Sequence, residues 1–412
     1  MRKLLVVLMV VAFAATAFAA DVKLSGYMEV KGIYIENGEA NEDSLGETSW
    51  WEQDGNIQAK FIVDKGTAFT VRGDFRDGTW GESNMVAKTN SGDEGGFTIQ
   101  RAFLEHDFGK AAIQAGLMST GGWGTAFGNN VEGNYRVKLI VPVSNGKVQF
   151  QTTKSNESGS FPSNKKDAEK DDNDQYGVDY VGKTGNYTYG FNLTYRMDSR
   201  VNNEGGLKGD DDSADTVKLE LMLKGELGLI GFESEFAYAD VSTDEVGAED
   251  YDLFGAYVNV WGNLGKFTPG IAFIYGSTDE DANEGFEFGD DFNTTLLVDL
   301  TDGYNLSGAG YSTNGDLAGY TAVKAYLDYA HNDALTIGGA FTYAVSNWDD
   351  PNYEDVKFYE LDAYVSYQIN KALNYTVKAA YAKISDIMDY GTLDKYDSEA
   401  LYYASHTLSV AF

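Results

Sequence analysis

Apolar and polar residues alternate with a period of two along almost the whole chain beyond its first twenty positions. That period marks strands whose two faces meet different surroundings. From Val22 to Tyr34 the even positions read Val, Leu, Gly, Met, Val, Gly, Tyr, with Lys23, Ser25, Glu29 and Lys31 among the odd ones. Val217, Leu219, Leu221 and Leu223 alternate with Thr216, Lys218, Glu220 and Lys224. Leu373, Tyr375, Val377, Ala379 and Tyr381 alternate with Asn374, Thr376, Lys378 and Ala382. One face is apolar and often tipped with tyrosine; the other is polar and often charged.

Connections between the alternating runs fall into two classes that take turns along the chain. Short ones use turn residues, as at Asp64–Thr67, Asn145-Gly146, Lys183–Asn186, Gly225–Gly228 and Asn370–Ala372. Long ones are polar and acidic, as at Lys154–Asp174, Met197–Asp215 and Ser346–Asp355. Short turns at one rim and long loops at the other predict an all-β fold, a transmembrane antiparallel β-barrel. A soluble sandwich would also alternate, but its strands average about five or six residues. The runs here approach the ~9–11 residues that cross a bilayer at a tilt.

The pattern marks nineteen candidate strands, whereas single-chain bacterial barrels have an even number with both termini at the short-turn rim. The run Phe292–Leu300 is the spurious one, because it sits inside the long stretch Gly276–Gly319. Taking that stretch as one external loop leaves 18 strands, with 16 to 20 the range the alternation allows.

Composition adds the compartment. Arg2 and Lys3, the apolar run Leu4–Ala15 and the small-residue Ala17-Phe18-Ala19 predict a secretory signal peptide over residues 1–19, cleaved after Ala19. Residues 20–412 then form a single barrel without a separate plug domain. The formal charge of −33 lacks the basic footprint that nucleic acid requires. Cysteine is absent, so no disulfide framework stabilises the chain. The 47 glycines, 4 prolines and 28 tyrosines suit a long, fully paired β-protein.

The last run, Ala400–Phe412, alternates Tyr402, Ala404, His406, Leu408 and Val410 against serine, threonine and tyrosine, and it stops on Phe412. Here the chain resembles the outer-membrane porins of Gram-negative bacteria, whose last strand ends in Phe. The segment Arg101-Ala-Phe-Leu-Glu-His-Asp-Phe-Gly109, followed by Ala111–Gly116, is similar to a general-porin hairpin. The resemblance implies a homotrimer in outer-membrane lipid and lipopolysaccharide, delivered by the barrel-assembly machinery and passing ions and small hydrophilic solutes. It also implies that Ser119–Gly133, with Trp123 and Phe127, folds into the lumen as a constriction loop. This sequence departs from the family where glycine and aromatics replace an acidic cluster and Leu117 replaces a basic residue, so loop charge does not carry over.

Candidate site residues follow from the polar faces. Arg72, Arg76, Arg101, Arg136 and Lys138 alternate with apolar neighbours, and Glu105 and Asp74 share their wall as partners for them. As pore-lining charges they would bias which ions pass; as paired charges they would only tile the interior. Arginines pull toward anions and acidic loops toward cations, which predicts a weak cation preference. Asp279, Asp281, Asn283 and Asp290 loosely fit a calcium loop, but the glycine falls late at Gly285. No other cofactor is indicated. Three scattered histidines, His106, His331 and His406, offer no catalytic set.

Gly177, Gly182, Lys183 and Thr184 match the phosphate-cradling pattern G-x-x-x-x-G-K-[ST]. Such a loop must open a helix, yet Tyr187, Tyr189, Phe191, Leu193 and Tyr195 continue the two-residue period. The match therefore predicts a hairpin rather than a nucleotide site. The reading is a diffusion porin, with a substrate-specific channel and a non-conducting structural or adhesive barrel as the alternatives.

Overall fold

A computed structural model describes residues 21–36, 47–80, 97–119, 123–128, 133–157, 172–198, 213–243, 249–282, 284–286, 288–289, 292, 295–297, 319–349, 356–388, 395–397 and 399–412. The proposed signal segment lies outside them. Eighteen long strands make up the barrel. The first nine are β1 (Asp21–Glu36), β2 (Glu47–Asp64), β3 (Thr67–Thr79), β4 (Phe97–Asp107), β5 (Ala112–Met118), β6 (Asn134–Val143), β7 (Gly146–Glu157), β8 (Asp172–Thr184) and β9 (Tyr187–Asp198). The second nine are β10 (Ala214–Leu227), β11 (Ile230–Thr243), β12 (Tyr251–Gly262), β13 (Phe267–Gly276), β14 (Tyr320–Ala330), β15 (Leu335–Ser346), β16 (Lys357–Gln368), β17 (Leu373–Ser385) and β18 (Leu401–Ala411).

Each strand pairs antiparallel with its sequence neighbours, and β1 closes the ring on β18 in the register Tyr27↔Ala411 to Glu36↔Tyr402. Closure leaves no edge strand, so every ladder position finds a partner without water. Asp21 and Phe412, the first and last described residues, lie at the short-turn rim, where Ala411 N–H donates to the Ala372 carbonyl at 3.0 Å.

The alternation sorts the residues by side. On β10, Val217, Leu221 and Leu223 are exposed outward while Glu220 and Met222 are buried inward. Equivalent outward positions are Leu361, Val365 and Tyr367 on β16 and Leu408 on β18. Together they form an apolar belt, which water would penalise and a bilayer core accepts. At the short-turn rim Tyr180 and Tyr189 meet Asn145 through their hydroxyls, at 2.9 and 2.7 Å. The phosphate-loop look-alike lies here: β8 ends at Thr184, Gly185 takes a positive φ, and Lys183 faces Thr188 across the hairpin. It is a turn between two strands.

The stretch after β13 differs from its expected place outside the barrel. Among its described residues, Phe286, Phe288, Phe292 and Leu297 are buried, and none of residues 292 and 295–297 is in a strand. Phe286 sits over Gly255 on the inner face of β12, where a Cβ would lie 2.4 Å from its ring. This loop enters the lumen because its aromatic side chains find apolar cover there. The inner faces opposite carry small residues: Ala237, Ala272, Ala322, Ala344, Ala380 and Ala382 are all buried.

A charge placed in the outer belt measures its depth. Leu221→Arg, near the middle of β10, is expected to cost about 2–4 kcal/mol, whereas Leu227→Arg at the rim costs about 0–1 kcal/mol. Equilibrium urea unfolding of the refolded protein in lipid vesicles reads the difference; equal costs would place the belt elsewhere.

Candidate functional site

The lumen is divided by two in-folded loops that meet inside it. The first, between β5 and β6, is described at Ser119, Trp123–Gly128 and Gly133. Polar groups of the wall hold its backbone. Lys138 Nζ donates to the Ser119 carbonyl at 2.8 Å, and Lys224 Nζ to the Gly124 carbonyl at 3.0 Å. The Thr125 N–H donates to the buried Glu235 carboxylate on β11. Trp123 Nε1 points at the Tyr180 carbonyl at 3.5 Å.

Phe127 is fully buried at the junction of the two loops. Its ring stacks on Tyr257 of β12 at 5.8 Å and on Phe286 at 5.5 Å, and it meets Phe288 and Phe292 edge-on at 5.4 and 5.3 Å. Each aromatic pair adds about 0.5–1.5 kcal/mol beyond the area it buries. The Gly289 N–H donates to the Phe127 carbonyl at 2.7 Å, tying one loop to the other. The second loop is anchored again where Glu360 of β16, fully buried, accepts the Leu296 and Leu297 N–H groups at 2.6 and 2.9 Å. A carboxylate is the stronger acceptor for such backbone donors.

The expected basic wall lies on the inner faces of β3, β4 and β6. Arg72 and Arg101 are register partners across β3 and β4. Arg72 also forks onto Asp74, with Nε and Nη2 at 2.8 and 3.2 Å from its oxygens. Arg136 is only 5 % exposed, and its Nε and Nη1 have no hydrogen-bond partner among the described residues. Glu105 pairs with Lys60 of β2 instead of the arginines. The side chain of Arg76 lies outside the described ones.

Residues that the alternation pattern left unassigned do much of the positioning. Lys60, Lys224, Glu235 and Glu360 all occupy inward positions, and their signal was their charge on the polar parity of a strand. Which of them would meet a loop required the tertiary structure. At the acidic loop, Asp279 accepts the Ala282 N–H at 3.1 Å, and Thr278–Asp279 pairs with Glu284–Gly285 in a two-residue ribbon. Asn283 and Asp290 lie outside the described residues, and no cluster of three metal-ligating side chains occurs among the described ones.

Below the loops, at the level of Lys324, Tyr326 and Asp328 on β14, the wall encloses a cavity of about 590 Å³. Its roof is Ala126, Phe292 and Leu296, and its floor and walls carry Asn259, Asp362, Tyr364 and Lys378. Polar walls under an apolar roof suit a hydrated solute that must shed part of its water to pass.

No family model matches the chain, and no curated protein sequence is similar to it. Solved structures are similar in fold. Pseudomonas aeruginosa OccK9 (OpdG) superposes with a TM-score of 0.60 at 11% identity, covering 95% of this chain and 99% of that one. P. aeruginosa OpdO gives 0.60 at 10% identity over 95% and 97% of the two chains. Acinetobacter baumannii OccAB4 gives 0.56 at 12% identity over 95% and 98%. Over nearly its whole length, then, the chain shares the fold of these proteins, here a closed barrel of 18 strands.

Proposed function

We propose that the protein is an outer-membrane porin of a Gram-negative bacterium, a water-filled channel through which ions and small hydrophilic solutes diffuse passively. The observation that carries this reading is a closed barrel, apolar outside and charged inside, whose bore is narrowed by two in-folded loops. An outward belt ringed by tyrosines matches a lipid environment, and the basic inner wall of Arg72, Arg101, Arg136 and Lys138 supplies a local field. The first loop, with Trp123 and Phe127, sets the size cutoff together with the second. The acidic chain gathers cations at the mouth while the basic wall opposes them, leaving a weak cation preference. Homotrimeric assembly, contact with lipopolysaccharide and delivery by the barrel-assembly machinery complete the proposal.

Single-channel recording of the refolded protein in a planar bilayer tests it: stepwise ohmic currents are expected, and a barrel that inserts without conducting would favour the structural or adhesive alternative. In a potassium chloride gradient, Arg101→Ala with Arg136→Ala is expected to roughly double the cation-to-anion permeability ratio, because two positive charges leave the lumen wall. An unchanged reversal potential would reduce that wall to internal packing.

Phe127→Ala removes the ring shared by both loops, at a cost of about 3–5 kcal/mol to their packing. The expected outcome is larger, noisier single-channel conductance and faster proteolysis within residues 119–133, with the barrel itself intact.

A further inference from the structure

Two tyrosines in the cavity are laid along the barrel wall instead of projecting across the bore. Tyr326 leans from β14 over Gly270 of β13, where a Cβ would lie 2.1 Å from its Cζ, and its hydroxyl donates to Asn259 Oδ1 on β12 at 3.0 Å. Tyr364 leans the same way, from β16 over Gly338 of β15, where a Cβ would lie 2.2 Å from its Cε1. Its hydroxyl donates to Asp328 Oδ1 on β14 at 2.6 Å. Each ring is pinned at the backbone and at the hydroxyl, with a bare glycine beneath it. The opposite side of each ring faces the cavity, already ordered, so binding there costs little side-chain entropy.

We propose that this cavity is a binding site for a neutral pyranose sugar, with Tyr326 and Tyr364 as stacking platforms. The apolar C–H face of a pyranose ring lies flat on the negative face of an aromatic ring. Its equatorial hydroxyls both donate and accept, and the cavity offers both: carboxylates from Asp328, Asp362 and Glu233, the last already accepting from Tyr257 and Asn259, and ammonium donors from Lys324 and Lys378. The mixture of signs decides the ligand class. A cation would gain from the rings and carboxylates but meets the two lysines, and an anion would gain from the lysines but meets the carboxylates. An uncharged polyol uses both sets without repulsion. The volume of about 590 Å³ falls within the roughly 300–1,000 Å³ of small-molecule pockets.

This inference rests on the channel reading for its transport role, though the site itself can be measured without conductance. Maltose is the probe, with choline and gluconate as charged controls, added to the full-length protein in a bilayer and, separately, in detergent by titration calorimetry. Saturable block of the ion current and saturable heat with maltose are expected. Tyr326→Ala and Tyr364→Ala should each weaken maltose binding about tenfold, and the Tyr→Phe variants by less than about threefold, because the platform remains. Unchanged heat-modifiable gel migration establishes that each variant folds; where an alanine variant does not, the phenylalanine variant and Lys378→Gln, expected to weaken maltose binding severalfold, stand in for it. Maltose heat with no current would overturn the channel reading while upholding the site. Current without maltose block or heat would overturn the site while leaving the channel intact. Tyrosine-dependent block by choline or gluconate alone would likewise overturn the sugar assignment.

Discussion

Everything in this protein follows from the need to satisfy the backbone without water. In hydrocarbon an unpaired N–H or C=O costs several kcal/mol, so a strand that crosses the bilayer must be flanked by two others. Closure of β1 on β18 meets that demand for all eighteen strands at once. The period-two sequence then has only one consistent placement: a register slip by a single residue would turn Lys218, Glu220 and Lys224 toward lipid. The outer belt and the charged lumen are two consequences of the same pairing.

Inside the ring, the wall is not uniform. From β11 round to β1 its upper level is apolar and built largely of alanine, and the aromatic residues of the second loop fill the space those small side chains leave. From β2 to β10 it carries ion-paired lysines, arginines and acids. The first loop, rooted between β5 and β6, crosses to the apolar half, where its backbone N–H donates to Glu235 of β11, and the second is held within that half by Glu360 of β16. Aromatic packing seals that side at the level of the loops, and below it the same side opens into the polar cavity lined by Lys324, Asp328, Asp362 and Lys378.

Alternation made all eighteen strands legible, because two-sided burial writes itself into every second residue. Ends were less visible. β2 begins at Glu47, although its regular alternation is plain only from Asn56, since a register irregularity between Gln53 and Gly55 interrupts the period. The first in-folded loop was legible through resemblance, and its partner wall through basic residues at inward positions. The second loop was not. The stretch Gly276–Gly319 reads as one external loop in which Phe292–Leu300 only mimics a strand, and the buried alanines on β13, β14, β15 and β17 that make room for its aromatics are seen only in the folded barrel. Glycines told the same story in reverse: Gly255, Gly270 and Gly338 look like weak strand residues until the ring above each is seen.

The closing seam has a bearing on how such a chain reaches its native state. Gly26 and Phe412 exchange backbone hydrogen bonds at 3.0 Å in each direction, and the Phe412 ring covers the Gly26 backbone. These are the partners most distant in sequence among the described strands, so their pairing carries the largest loop-closure entropy of any ladder in the barrel. Until β18 pairs with β1 the sheet has two open edges, exposed to pairing with any other strand nearby. The docking of Phe412 beside Gly26 therefore helps convert an aggregation-prone open sheet into a closed one.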